Sequence, residues 1–158
     1  MQQITTCLWF DHQAEAAANY YCSLFEDARI VAVQRTGEAG PGEPGSALLV
    51  TFELAGQRFF ALNGGGDRAF SEAISLHVNC RDQAEVDHFW DRFIADGGEE
   101  SLCGWLKDRY GVSWQIVPEA LPTMLADPDP ARAGRVMQAM LQMRKLDLPE
   151  LTRAYEGA

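Results

Sequence analysis

Apolar residues recur along the chain with two alternating periods, and the switches between them mark out the elements. Ile4 to Phe10 is an apolar run of strand length, stopped by Asp11-His12. From Ala14 to Phe25 the period lengthens. Ala14, Ala17, Ala18, Tyr21, Leu24 and Phe25 fall on one helical stripe. Ala28 to Arg35 returns to strand character, and the Gly- and Pro-rich run from Gly37 to Gly45 reads as a surface loop. Ala47 to Leu54 and Gln57 to Leu62 read as strands joined by a hairpin at Ala55-Gly56, before Asn63-Gly-Gly-Gly-Asp67 breaks the chain. The order is β-α-β-β-β.

The same order then returns. Ala73 to Cys80 is strand-like. Gln83 to Asp96 carries a helical stripe at Val86, Phe89, Trp90, Phe93 and Ile94, stopped by Gly97-Gly98. Glu99 to Leu102, Trp105 to Tyr110 and Ser113 to Val117 supply three short strands, the last two around a tight turn at Gly111. The two stripes superpose at an offset of about 69 residues, with Ala17 on Val86, Tyr21 on Trp90 and Leu24 on Phe93. That offset lays Thr6 on Ser75. Gln13-Ala-Glu15 recurs as Gln83-Ala-Glu85, one residue out of phase. The expected organisation is a first module over 1–67, a second over 68–120 and a helical extension over 121–158. In the extension, Asp129-Pro130 caps a helix with Val136, Met137, Met140 and Leu141 at helical spacing. Asp147 with Glu150 opens a last helix ending near Gly157. The methionines suit core packing, a sheet edge or a partner subunit.

Composition narrows the function classes. A net charge of -10 over 158 residues argues against nucleic acid, which needs a cationic face. No apolar run approaches the roughly 18 residues of a membrane span, and the N-terminus shows no signal-peptide pattern. Cys7, Cys22, Cys80 and Cys103 are widely spaced, as suits reduced thiols in a cytoplasm.

Leu8-Trp-Phe-Asp11, Tyr20-Tyr21, Ala73-Ile-Ser-Leu76, Gly104-Trp-Leu-Lys-Asp108 and Gly111-Val-Ser-Trp-Gln-Ile-Val-Pro118 carry a resemblance. With the doubled β-α-β-β-β order, they make the chain similar to the vicinal oxygen chelate superfamily, and within it to the PhnB-like branch described as 3-demethylubiquinone-9 3-methyltransferase. The resemblance implies an α+β fold. Its two βαβββ modules would form a cupped mixed sheet of the glyoxalase/bleomycin-resistance kind, with appended C-terminal helices. It also implies a cavity inside the cup. Metal-dependent members place four histidine and glutamate ligands there, one near the start of each module's first strand and one on its last. Carried over, those positions are Thr6, Ser75, Gln115 and either Ala61 or Asn63. Neutral hydroxyls and amides leave a divalent ion's charge uncompensated, so neither a tightly held metal nor any other cofactor is expected.

His77 lies two residues beyond Ser75 on the same strand face, as a pocket histidine or as a ligand or base. His12 and His88 suit solvated positions, and Cys103 suits an apolar filler. A glycine-rich strand-to-helix turn of the kind that cradles a nucleoside is missing. The expected function is a homodimeric binder of a small molecule. Its cavity would be lined by Thr6, Phe10, Asn63, Ser75, His77, Trp105, Tyr110 and Gln115. The alternative is an enzyme, metal-assisted through His77 or transferring a methyl group.

Overall fold

The computed structural model describes all 158 residues, and the chain divides into two compact units, Met1–Ala69 and Phe70–Ala158. In the first unit β1 (Thr6–Phe10), α1 (Ala14–Leu24), β2 (Ala28–Arg35), β3 (Ala47–Leu54) and β4 (Gln57–Asn63) follow in sequence. The sheet order is β1-β4-β3-β2. β1 runs parallel to β4 and the other pairs are antiparallel. The β3–β4 hairpin turns at Ala55 and Gly56, both with positive φ, as a two-residue hairpin requires.

Leu8 and Phe10 of β1, Phe59 and Ala61 of β4, and Val50, Phe52 and Leu54 of β3 are all buried. They sit opposite one another in register and therefore on one face of the sheet. α1 covers that face with Ala14, Ala17, Ala18, Tyr21 and Leu24, and Tyr21 stacks on Phe52, which stacks on Phe59. Alanines in the stripe let the helix approach closely while Tyr21 supplies the bulk. α1 has no side-chain cap of its own from Gln13. Asn63 at the end of β4 supplies it, accepting from the amide of Ala14 at 2.8 Å and donating to the carbonyl of Ala47 at 2.9 Å.

The second unit repeats the plan. β5 (Leu76–Cys80), α2 (Gln83–Ala95), β6 (Glu99–Glu100), β7 (Trp105–Lys107) and β8 (Ser113–Pro118) form a sheet of order β5-β8-β7-β6, again closed by one parallel pair. Cys80, Leu106, Trp114 and Ile116 turn toward α2, where Phe93 lies 4.9 Å from Trp114 between ring centroids. Asp82 caps α2 by accepting from the amide of Glu85. Burial pushes the Cys80 thiol up to about 12, so it stays protonated.

Three of the second unit's strands are shorter than the sequence pattern predicts. β5 starts at Leu76 because Glu72 to Ile74 form a turn and a bend. β7 ends at Lys107 because the Asp108 side chain takes over the turn. It accepts from the amides of Tyr110 and Val112 with one oxygen and from the indole N–H of Trp114 with the other. β6 is cut to Glu99–Glu100 by the reversal that follows it, where the amide of Trp105 donates to the carbonyl of Leu102.

The extension adds α3 (Ala120–Leu125), which the sequence pattern does not reveal, α4 (Pro130–Met140) and α5 (Leu148–Glu156). Val117, Leu121, Val136, Leu146 and Leu151 form its core, with Met124, Met140 and Met143 packed against it. These methionines are core packing, whereas Met137 is exposed.

The extension is tied to the sheet at one notch. The amides of Cys103 and Gly104 donate to the carbonyls of Met143 and Arg144 at 2.8 Å each. A Cβ on Gly104 would meet Leu146 Cδ1 at 2.8 Å and the carbonyl of Ile116 at 2.9 Å, and its φ is +82°. Only glycine fits there. The Gln83 amide holds both sides of the same loop, donating to the carbonyl of Leu146 and accepting from the amide of Leu148.

Candidate ligand-binding site

Cross-strand register fixes which side chains share a face. In the second unit, β5 pairs His77 with Gln115, and β7 pairs Trp105 with Gln115 and Lys107 with Ser113. These residues, with Ser75 and Asn79, lie on the face opposite α2. Ser75, just before β5, is joined to Gln115, whose Nε2 donates to its Oγ at 2.9 Å. The two positions that would hold metal ligands in this unit are therefore satisfied by each other. Both groups are neutral, and the bond uses the serine oxygen that would have to face an ion. His77 is exposed beside them.

Trp105 is half-buried. Trp9, Trp90 and Trp114 each give the indole N–H to an oxygen, of Gly65, Glu100 and Asp108 respectively. The indole of Trp105 makes no such bond. It borders a cleft of about 330 Å³ whose wall includes Glu72, Leu102, Cys103, Leu106, Lys107 and Ser113. Ser113 is 2% exposed and its hydroxyl has no hydrogen-bond partner. Lys107 Nζ stands 3.5 Å from a Glu72 carboxylate oxygen, the lysine half-buried and the glutamate largely exposed. The Glu72 carboxyl is held below its usual range, first by its own backbone amide and then by Lys107. Tyr110 sits in the hairpin turn rather than beside Gln115, with the guanidinium of Arg109 5.3 Å from its ring centre, and burial raises its hydroxyl pKa.

The first unit places its candidate residues differently. Thr6 and Phe10 pair with Phe59 and Asn63, on the face that α1 covers, and Phe10 is 3% exposed. Asn63 is spent on the α1 cap and Ala61 is fully buried. None of the four looks onto the face opposite α1, which carries Cys7, Trp9, Leu49, Phe60 and Leu62.

The displacement has one cause. β1 and β5 start at Thr6 and Leu76, an offset of 70, which is also the spacing of the literal Gln-Ala-Glu repeat. An offset of 69 is one residue short, and in a strand one residue reverses every side chain. At 70 the counterpart of Ser75 is Thr5, that of His77 is Cys7, and Gln115, paired with His77, answers to Phe60, paired with Cys7. Thr5, Phe60, Ser75 and Gln115 offer no anionic or imidazole donor. No three His, Cys, Asp or Glu side chains come together anywhere in the chain. Neither unit's pair of positions fits a divalent transition metal.

A family model described as 3-demethylubiquinone-9 3-methyltransferase matches residues 2–117. The chain belongs to that family. A PhnB protein from Bacillus cereus, described as a 3-demethylubiquinone-9 3-methyltransferase, is 37% identical over 74% of this chain and 99% of its own, with a TM-score of 0.68. A Pseudomonas aeruginosa protein of 18% identity covers 72% of this chain and 95% of its own, with a TM-score of 0.61, and shares the fold. No curated protein matches the chain. The PhnB-like fold, with its doubled βαβββ plan, is that of the vicinal oxygen chelate superfamily.

The extension from α3 onward lies outside the matched family region. The methyl transfer named by the family description has no glycine-rich cradle in this member. Its three strand-to-helix turns run through Asp11 to Gln13, Arg81-Asp82 and Glu119, without glycine. No helix of the chain is long and apolar enough to cross a membrane.

Strand alternation sets Ser113 on the face of Gln115, and the same alternation along β7 is the signal that finds Lys107 two residues beyond Trp105.

Proposed function

We propose that this PhnB-like protein binds a small molecule on the face opposite α2 of its second unit, without a tightly held metal. The observation that carries this reading is the Ser75–Gln115 bond beside an indole that makes no hydrogen bond. A flat apolar surface with a few oriented polar groups is what a ligand site needs. His77 forms the rim. We further place the protein in a reducing, cytoplasmic compartment as a homodimer. Four free cysteines support the former, and the half-buried apolar side chains Trp9, Leu49, Phe60 and Leu62 in the first unit support the latter.

A thermal-shift screen of amphipathic aromatic compounds tests the binding. A ligand at 100 times its Kd stabilises the folded state by about 2.7 kcal/mol, and that shift should be lost in Trp105→Ala and Gln115→Leu. A blank screen overturns the reading. So does elemental analysis showing a stoichiometric transition metal that His77→Ala removes, which would establish the metal-assisted enzyme instead. Sedimentation equilibrium checks the dimer.

A further inference from the structure

Three hydrogen-bond donors meet in the cleft beside Trp105, and none of them has a committed acceptor. The hydroxyl of Ser113 is buried and unpartnered. Buried polar groups are nearly always bonded, so one left alone in a cleft wall points at something that completes it. The indole N–H of Trp105 can only donate. The ammonium of Lys107, two residues along β7 and directly across from Ser113, also only donates. Its one partner, Glu72, is loose at 3.5 Å and largely exposed, the kind of ion pair that exchanges at little cost. Leu102 and Leu106 supply apolar wall in the same cleft.

We propose that this cleft takes a small organic carboxylate on a flat apolar body. The carboxylate replaces Glu72 at Lys107 and accepts from Ser113 and Trp105, while the body lies against the indole face and the leucines. The assignment of ligand class rests on the reading that the face opposite α2 binds small molecules, and it adds the charge. Two donor-only groups and a hydroxyl free to donate select an acceptor, and the ammonium selects an anionic one. Glu72 then acts as an internal competitor that keeps neutral and cationic molecules from gaining anything at Lys107.

The test compares 1-naphthoate with 1-naphthamide, which share shape and differ in charge, by fluorescence polarisation on the full chain. Naphthoate should bind at least ~10-fold more tightly than naphthamide, as a charge-assisted hydrogen bond implies. In Lys107→Gln the two should fall within ~2-fold of each other, because the charge term is gone. Ser113→Ala and Trp105→Phe should each weaken naphthoate by ~5-fold or more through loss of one donor, with naphthamide less affected. Glu72→Gln should tighten naphthoate by ~2- to 3-fold by removing the competitor.

Equal affinity for both compounds in the unaltered protein, lost in Gln115→Leu, would overturn the carboxylate class and leave small-molecule binding standing. Failure of both compounds to bind, while the aromatic screen yields another ligand, would also overturn the class alone. Failure of both with a blank screen would remove the class and the binding site together.

Discussion

The two sheets of this chain share strand order and parallel closure but have diverged in what each face is for. In the first unit the polar residue at the end of the closing strand, Asn63, is turned inward to cap α1. In the second, α2 caps itself through Asp82, and the closing strand β8 is free to present Gln115 and Ser113 on the opposite face. The same topology thus spends its polar groups on structure in one half and leaves donors without acceptors in the other. The strand-end position of Asn63 is taken by Pro118 in the second unit, which can give α2 no side-chain cap, so Asp82 supplies it instead.

The contrast can be broken at several points. The largest effect is expected at the notch that joins the extension to the second sheet. Gly104→Ala forces a Cβ into Leu146 and the Ile116 carbonyl at positive φ. It should cost about 3 kcal/mol in urea unfolding, as backbone strain and overpacking combine. Next comes the borrowed cap. Asn63→Ala strips one donor and one acceptor bond from the first unit and should cost about 2 kcal/mol. Asp82→Ala, its counterpart, should cost about 1 kcal/mol. If the two costs were equal, the claim that the first unit's cap also anchors Ala47 would fail.

Gln115→Leu should change stability by less than about 1 kcal/mol, because it removes a single half-buried bond. Its effect should appear in ligand binding. The smallest effect belongs to the exposed Arg35–Glu15 pair, where Arg35→Ala should leave the urea midpoint unchanged.

Acid acts on the second unit through two carboxylates of α2. The Glu85 carboxyl is held below its usual value first by the backbone amide of Arg81, and Asp87 first by the Gln83 amide and then by Lys145. A depressed carboxylate stabilises the fold at pH above its unfolded value near ~4 and loses that contribution as pH falls through the folded value. Urea midpoints should therefore be level near neutrality and decline below about pH 4. Removing the Asp87–Lys145 contact with Lys145→Met should flatten part of that decline. At the alkaline side, Cys80 should resist iodoacetamide at pH 8.5, because burial keeps its thiol protonated.

Much of this was legible in the residues. Helix and strand periods located nearly every element of both modules, because their buried faces impose a strict spacing. Asp147 and Gly157 marked α5 to the residue, since caps are local chemistry. α3 escaped because its six residues carry one buried side chain, Leu121, too few for a period. Half of the candidate residues come to one face. Ser75, His77, Trp105 and Gln115 share a face, as alternation along β5, β7 and β8 predicts. Thr6, Phe10 and Asn63 lie on the helix-covered side, because the helical stripes were aligned at 69 while the strands repeat at 70. The two repeats differ because the turn into α2, Arg81-Asp82, is one residue shorter than the turn into α1, Asp11 to Gln13, and in a strand one residue reverses every side chain. Tyr110 belonged to a turn that Asp108 builds across distance, with no periodic trace.

The way Leu146 seats against Gly104 also sets a timetable. The second sheet lacks one of its packing partners until residues 143–151 have been synthesised, whereas everything the first unit needs is present once Ala69 has emerged. On a ribosome adding roughly 5–20 residues per second, the first half can be settled several seconds before the donor-rich cleft has its full surroundings.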